Sequence, residues 1–355
     1  GRYCWRTTLT HEVLGTFSPL HIEPTRVNLA SLLKAKGYRT AAVGKWHLGY
    51  GRENEDPKWR TDYQAELSPG PLDIGFDHHF GVPSNHGDLT GVYVEDRFVY
   101  GLRSGTFPTG MKLAGPAADS DDYQATYGPE DTENGRSKIL ELDAPRRKKA
   151  RVMKVLTDKA TGWLEAQPKD QPFFLYFASP LPHVSLQLPA EDLKPYAGKF
   201  PEDKPFAPAA KGSYVPNRTP YATYAAMITR LDKDVGRILA ALEKAGVADN
   251  TIIVFTGDNG ATHDVGGVDT KFFASAGGLR GLKGSLHEGG VREPTVVRWP
   301  AAIKPGRRSD LTSGFEDWLL TFADLAGIKP SGPTTGESLV STLKGEPQTR
   351  VHPLY

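Results

Sequence analysis

YRTAAVGKWHLG, residues 38–49, joins a predicted strand to a polar cluster. The strand covers residues 38–43, and the cluster Gly44-Lys45-Trp46-His47-Leu48-Gly49 follows it directly. A strand that ends in a glycine-flanked polar cluster is the usual place for a ligand site in α/β folds. This stretch therefore indicates both the kind of fold and the position of a binding site.

The same arrangement recurs along the chain. The apolar run FFLYF, residues 173–177, is typical of a buried parallel strand and ends shortly before His183. Apolar residues at helical spacing over residues 221–242 predict the clearest helix, and a strand at residues 251–255 ends before Asp258. The other predicted elements are a helix that stops at Gly37, a hairpin at residues 92–99, helices at residues 146–166 and 318–326, and a strand at residues 295–299.

Strands that alternate with helices predict an α/β fold with a mainly parallel central sheet and helices on both faces. The polar clusters after the strands would then meet at the carboxyl edge of that sheet. Residues from about 50 to 145 have weak periodicity and predict mainly loop. The basic run at residues 146–149 predicts a solvated first helical turn in preference to an anion-binding patch.

The composition excludes some classes of protein. Lys and Arg number 43 against 42 Asp and Glu, so the charge pattern gives no support to a nucleic-acid partner. No apolar run approaches the roughly 20 residues that a membrane span needs. Cys4 is the single cysteine, so the chain forms no internal disulfide. The first residue is Gly1, so the absence of a signal peptide says nothing about the compartment.

Lys45 and His47 are two positions apart after a predicted strand. In an extended segment such residues face the same way, so they predict an anion site with a proton donor or acceptor. His183 lies in a loop stiffened by Pro180 and Pro182, which would position its imidazole. From these residues alone, a surface lysine and structural histidines remain open as alternatives.

Two further clusters carry candidate ligands. Asp258 and Asn259, before Gly260, offer oxygens of the kind that Ca²⁺ or Mg²⁺ prefers, although the same triplet is an ordinary turn signal. The glycine-dense loop GLKGSLHEGG, residues 281–290, allows close backbone approach around Lys283, whose charge suits an anion. A flexible hairpin is the alternative for this loop.

In their order and contexts, these motifs resemble the sulfatase family, that is, arylsulfatase-like enzymes of the alkaline-phosphatase-like superfamily. The resembling stretches are residues 44–49, 182–183, 249–260, 279–290, 298–300, 304–306 and 343–346. They cover nearly the whole chain. The resemblance implies one catalytic domain over residues 1–355, with an alkaline-phosphatase-like sulfatase fold.

The resemblance also implies roles for single residues. Lys45 and His47 would contact the sulfate and the nucleophile, His183 would protonate the leaving alcohol, and Lys283 would hold the sulfate. Asp258 and Asn259 would ligate a divalent cation, most often Ca²⁺. Asn85 and His86, in a loop expected to shape the pocket, are candidates for sugar contacts.

The family's nucleophile motif is missing from this sequence. Sulfatases convert a Cys or Ser within Cys/Ser-x-Pro/Ala-x-Arg to formylglycine, and Cys4 has neither Pro nor Arg at the required spacing. Gly1-Arg2 resembles the end of the segment that follows this motif, so we expect the formylglycine to lie upstream. A smaller C-terminal subdomain is expected to lie largely beyond about residue 345. We therefore expect a domain truncated at both ends and inactive alone.

The resemblance implies hydrolysis of sulfate esters, with removal of sulfate from a sulfated glycan by a periplasmic or secreted protein as the leading hypothesis. A small-molecule sulfate ester is the other substrate considered. Two alternative functions remain: a phosphate or phosphonate ester hydrolase of the same superfamily, and an inactive relative that binds anions or glycans. The coding sequence upstream of Gly1 would separate them.

Overall fold

The computed structural model describes residues 13–88, 90–100, 149–202, 204–207, 216–330 and 334–352, and residues 7, 9, 147, 214, 332 and 354 singly. Gly1, Arg2 and Cys4 lie outside the described residues, as does Arg146 at the start of a predicted helix.

The main sheet has five strands in the order β4-β3-β2-β1-β5. Their bounds are Arg39–Lys45 for β1, His78–Val82 for β2, Val94–Glu95 for β3, Phe98–Val99 for β4 and Phe173–Ala178 for β5. β1 pairs in parallel with both β2 and β5, whereas β3 and β4 form an antiparallel hairpin at one edge. The predicted mainly parallel central sheet is thus confirmed.

Strand β2 lies in the region where the sequence predicted mainly loop. Its residues HHFGV include few of the apolar side chains that mark a buried strand. His79 nevertheless is only 1% exposed, because its ring is hydrogen-bonded to Tyr50 Oη at 3.1 Å and to the carbonyl of Ala42 at 3.1 Å. A buried polar group with satisfied hydrogen bonds gives no signal in a hydrophobic pattern.

Strands β6, Ile253–Thr256, and β7, Thr295–Arg298, differ from the prediction. They form a separate two-stranded antiparallel sheet. In the described ranges β6 pairs only with β7, so it does not extend the parallel sheet as the alternating pattern suggested. Asp258 therefore follows a strand of the second sheet.

The helices are α1 Leu29–Ala35, α2 Val152–Glu165, α3 Ala190–Leu193, α4 Pro220–Ala245, α5 Glu288–Val291, α6 Phe315–Leu325 and α7 Val340–Lys344. Short 3₁₀ turns lie at Pro71–Ile74, Lys149–Arg151, Lys194–Tyr196 and Ala248–Asn250. α4 ends at Gly246, whose φ of 73° suits a helix stop. In the described ranges, no helix combines the length and the apolar character needed to cross a membrane.

Neighbouring residues of β1 face two different cores. Val43 packs in one cluster with Leu156 of α2 and Met227 of α4. Ala42 packs in another cluster with Ala30 of α1. Since successive side chains of a strand point to opposite faces, helices cover the sheet on both sides, as the sequence predicted.

Gly44, near the end of β1, is expected to be sensitive to substitution. Its φ is 130°, and a Cβ there would stand 2.1 Å from the carbonyl oxygen of Ala178 in β5. We expect Gly44→Ala to lower the free energy of unfolding by roughly 1–3 kcal/mol, measured by urea denaturation. Gly236→Ala in α4 is the matched control, because a Cβ there meets open space. An equal effect of the two substitutions would contradict the close contact between the strands.

Candidate active site

Lys45 ends β1 and carries the first candidate charge. Its partner in the β1–β2 register is Val82, so it lies at the carboxyl end of the parallel strands. Burial lowers the pKa of Lys45, the charge of Asp258 raises it, and the charge of Lys283 lowers it. Lys45 is therefore within electrostatic reach of both residues.

His47 follows a turn rather than an extended segment. Its φ is 53°, a left-handed value that is uncommon outside glycine and typical of strained functional sites. The expectation that Lys45 and His47 face the same way along a strand is therefore wrong. The two still interact, because burial and then the charge of Lys45 lower the pKa of His47.

The ring of His47 is held by the backbone. Its Nε2 lies 2.7 Å from the carbonyl oxygen of Leu14, and its amide donates to the carbonyl of Pro83 at 2.9 Å. A carbonyl only accepts hydrogen bonds, so Nε2 carries the hydrogen. In the neutral ring, Nδ1 then keeps its lone pair.

His183 is held in the opposite tautomer. Its Nδ1 lies 2.5 Å from the carbonyl oxygen of Val184, so Nδ1 donates and Nε2 keeps the lone pair. Burial is the main cause that lowers the pKa of His183 to about 4, and the charges of Lys45 and Lys283 act in the same direction. The bond to Val184 and the charge of Asp258 act against this shift. His183 is therefore a neutral base at neutral pH.

Asp258 and Asn259 follow β6 and offer oxygens to a cation. Nδ2 of Asn259 donates to the carbonyl of Gly260 at 3.2 Å, which leaves its amide oxygen unbonded among the described residues. A carboxylate and an amide oxygen fit a hard cation in kind. Within the described ranges, however, no group of three or more His, Cys, Asp or Glu side chains could hold a metal. The pair therefore supplies only part of a coordination shell.

The glycine-dense loop around Lys283 packs against the turn that follows β6. The amide of Lys283 donates to the carbonyl of Ala261 at 2.7 Å, and that of Gly260 donates to the carbonyl of Gly290 at 3.0 Å. A Cβ on Gly260 would stand 1.9 Å from the carbonyl oxygen of Gly289, so only glycine fits this contact. These contacts favour a fixed loop over the flexible hairpin.

Electrostatic interactions link residues from four separated segments. The charges of Lys45 and Lys283 act on both histidines, and the charge of Asp258 acts on Lys45 and His183. Two lysines beside two neutral imidazoles can bind an anion, and the nearby carboxylate suits a cation. The individual roles implied by the family resemblance stay predictions.

Asn85 and His86 differ in their surroundings. His86 is 1% exposed, and its Nε2 lies 2.6 Å from the carbonyl oxygen of Ser185. Asn85 is half-buried, and its Oδ1 has no hydrogen-bond partner among the described residues. The burial of His86 favours a structural role, and the Oδ1 atom of Asn85 is itself buried. The sugar contacts of both residues stay predictions.

The sequence pattern did not predict the buried ion pair of Arg147 and Asp88. Nη2 of Arg147 lies 3.2 Å from Oδ1 of Asp88, and the two side chains are 0% and 3% exposed. The charge of Asp88 raises the pKa of His47, although burial and Lys45 lower it overall. The prediction of a solvated turn at residues 146–149 is thus wrong for Arg147.

Glu293 is a second residue without an assigned role. A Cβ on Gly257 would stand 2.3 Å from its Oε2, so the carboxyl group lies against the residue that precedes Asp258. Burial raises the pKa of Glu293, and the charge of Asp258 raises it further. In the sequence, Glu293 stands out because the resembling family usually has an apolar residue at this position.

A protein-family model described as Sulfatase matches residues 7–328. The chain belongs to the sulfatase family. An N-acetylgalactosamine-6-O-sulfatase of Bacteroides thetaiotaomicron is 31% identical over 98% of this sulfatase chain and 66% of its own length. Human arylsulfatase A is 30% identical over 85% of the chain and 48% of its own length.

A solved structure superposes on this chain with a TM-score of 0.71 and 28% sequence identity. Its description concerns the metabolism of multiple glycosaminoglycans by Bacteroides thetaiotaomicron. The match covers 97% of this chain and 69% of the chain in the solved structure. This sulfatase chain thus spans 66% of the length of the first relative and 48% of the length of the second. The alkaline-phosphatase-like fold expected from the sequence is confirmed.

We expect the binding of sulfate to this sulfatase chain to depend on pH, because His47 and His183 can gain protons. A bound oxyanion should raise the pKa of His47 and His183, so the complex takes up protons and sulfate binds more tightly as pH falls below neutrality. Calorimetric titration of inorganic sulfate into the chain at several pH values measures this.

His183→Asn should weaken the pH dependence, whereas the exposed control His352→Asn should keep it. Sulfate affinity that is independent of pH in the unsubstituted chain would contradict the expected proton uptake.

Proposed function

We propose that the protein containing this chain hydrolyses sulfate esters. The observation that carries the proposal is the electrostatic cluster of Lys45, Lys283, His47 and His183, together with Asp258, in a chain of the sulfatase family. A sulfate monoester carries negative oxygens, and positive groups fixed around them stabilise the charge of the transition state.

The proposed proton donor to the leaving alcohol is His183. In the unliganded chain its Nε2 is unprotonated, because burial lowers the pKa of the ring to about 4. The negative charge of a bound sulfate ester raises that pKa, so the ring gains a proton when the substrate binds. Nε2 then donates this proton to the departing oxygen. Nδ1 remains bonded to Val184 and keeps the ring in place.

A divalent cation, with Ca²⁺ as the leading candidate, would be held by Asp258 and Asn259 together with ligands from elsewhere. When bound, it polarises an oxygen of the sulfate group as a Lewis acid. The proposal also includes a formylglycine nucleophile upstream of residue 1, because no Cys/Ser-x-Pro/Ala-x-Arg motif occurs in residues 1–355.

The proposed substrate is a sulfated glycan, with 6-O-sulfated N-acetylgalactosamine as the leading unit. The support is the Bacteroides thetaiotaomicron relative, whose name specifies that sugar and whose match covers 98% of this chain. We place the protein in the periplasm or outside the cell by resemblance to microbial relatives that remove sulfate from polysaccharides.

A panel of substrates tests this function. The full-length protein should release sulfate from N-acetylgalactosamine 6-sulfate and from 4-nitrophenyl sulfate, whereas the 355-residue chain should release none. Phosphate release from 4-nitrophenyl phosphate that exceeds sulfate release would favour the phosphoesterase alternative. Binding of the sulfated sugar without turnover by the full-length protein would favour an inactive binding relative. Turnover by the 355-residue chain would contradict the upstream nucleophile.

A further inference from the structure

The loop at residues 83–88, here called the bridging loop, holds the backbone of His47. It follows β2 directly, and the carbonyl oxygen of Pro83 at its start accepts a hydrogen bond from the amide of His47 at 2.9 Å. The φ of His47 is 53°, and a left-handed non-glycine residue persists only where its surroundings hold it in place. The bond to Pro83 is therefore part of what keeps His47 in this conformation.

The same loop contacts the segment that follows His183. Nε2 of His86 donates a hydrogen bond to the carbonyl oxygen of Ser185 at 2.6 Å, and both residues are buried. A Cβ on Gly87 would stand 3.6 Å from Oε1 of Gln187, so the bridging loop packs against this segment at an ordinary contact distance. Ser185 is only two residues after His183, so a shift of the loop would displace the backbone of His183 as well.

A buried ion pair closes the bridging loop at its end. Oδ2 of Asp88 accepts a hydrogen bond from the amide of Ser84 at 3.0 Å, which joins the end of the loop to its start. Nη2 of Arg147 lies 3.2 Å from Oδ1 of Asp88, and Nη1 donates to the carbonyl of Val92 at 2.6 Å. Separation of the pair would leave a buried charge uncompensated, so the closed arrangement of the loop is strongly favoured.

We propose that the bridging loop is a positioning element for both candidate histidines, with His86 acting on His183 and Asp88 acting on His47. Neither residue needs to touch the substrate for this role. Burial and the charge of Lys45 lower the pKa of His47, and the charge of Asp88 opposes them, so Asp88 is within electrostatic reach of the ring.

Positioning of this kind has a large effect on rate. A proton donor must lie within hydrogen-bond reach of the leaving oxygen, and a misplacement of about 1 Å can cost about 10²-fold in rate. The inference rests on the proposed function, since it assumes that His183 protonates the leaving alcohol and that His47 contacts the sulfate.

The test for His86 compares a poor leaving group with a good one in the full-length protein. Departure of the alcohol from N-acetylgalactosamine 6-sulfate needs the proton from His183, whereas 4-nitrophenolate leaves readily without it. His86→Leu removes the donor to Ser185 and should lower kcat for the sugar sulfate by roughly 10²-fold. For 4-nitrophenyl sulfate kcat should fall by less than about threefold. KM for both esters should change little, because the groups that bind the sulfate stay in place.

The ratio of the two kcat values does not depend on how much of the protein is folded, so a loss of stability alone cannot change it. His86→Gln keeps an N–H donor and should restore most of the lost ratio. His79→Leu is the matched control, because His79 is also a buried histidine bonded to a backbone carbonyl, that of Ala42, and lies outside the bridging loop. It should leave the ratio unchanged.

Asp88→Asn tests the other end of the bridging loop through a double-mutant cycle. It weakens the closure of the loop at Ser84 and should lower kcat/KM for 4-nitrophenyl sulfate by roughly tenfold. In a His47→Ala background the same substitution should cause little further loss, because its effect passes through His47. Asp234→Asn is the matched control, because Asp234 is also buried and is paired with Arg230 at 2.8 Å. Its effect should be the same in both backgrounds.

An unchanged kcat ratio in His86→Leu would overturn the proposal, and so would an equal change of the ratio in His79→Leu. An effect of Asp88→Asn that is undiminished in the His47→Ala background would also overturn it.

If the unsubstituted full-length protein turns over neither ester, the proposed function fails separately. Nitrogen NMR spectra of the imidazole rings in the full-length protein then test the positioning alone. His86→Leu should shift the ring signals of His183, which are assigned by their loss in His183→Asn, and should leave those of the exposed His352 unchanged. Unshifted signals of His183 would overturn the proposal in that case.

Discussion

Lys283→Ala should lower kcat/KM for sulfate ester hydrolysis by the full-length protein by roughly 10²–10³-fold, the usual cost of removing one preorganised charge-stabilising group. The charge of Lys283 acts on Lys45 and on both histidines, so Lys283 belongs to the electrostatic cluster. We expect most of the loss in kcat, because the charge on the sulfate oxygens grows in the transition state. Steady-state kinetics on 4-nitrophenyl sulfate measures it.

Lys304→Ala is the matched control for this substitution, because Lys304 is exposed and has no assigned part in the site. Lys45→Ala should cause a loss of similar size. The double substitution of Lys45 and Lys283 should cost less than the sum of the two single losses, since groups that act on one anion are not independent. Wild-type kcat/KM in Lys283→Ala would remove Lys283 from the catalytic site.

Several elements of the fold could be predicted because their sequences carry strong local signals. Strand β5 is a continuous apolar run, and α4 combines helical spacing with a glycine that stops the helix at residue 246. Strand β2 carries no such signal, because the burial of His79 depends on partners far away in the sequence. Hydrophobic patterns cannot show hydrogen bonds between distant segments.

The candidate site shows the same division between local and distant information. The clusters around Lys45, His183 and Asp258 could be located from short motifs at the ends of predicted strands. The left-handed backbone of His47 could not be inferred from spacing, because non-glycine residues seldom adopt it.

The burial of Arg147 likewise could not be predicted from the sequence. A basic run normally indicates a solvated surface, whereas its partner Asp88 is 59 residues away in the chain. Charged residues are almost never fully buried unless they are paired, and a pairing over that distance leaves no trace in local sequence. The resemblance to a family located the candidate site motifs but gave no information about this buried ion pair.

Asp258→Ala in the full-length protein should abolish both Ca²⁺ binding and turnover. Asp258 and Asn259 provide the oxygens that suit this cation, and loss of the single carboxylate removes the only negative charge of the pair. Calorimetric titration with Ca²⁺ measures binding directly, and the rise of the thermal midpoint in Ca²⁺ measures it through stability. The exposed control Asp310→Ala should keep both signals.

The same titration tests where the other ligands come from. Ca²⁺ takes roughly six to eight oxygen ligands, whereas Asp258 and Asn259 supply only part of that shell. The 355-residue chain should therefore bind Ca²⁺ weakly or not at all, even though it contains both residues. Micromolar binding by this chain, lost on Asp258→Ala, would mean that residues 1–355 contain the complete ligand set. The proposal that Asp258 and Asn259 need further ligands from outside this chain would then be wrong.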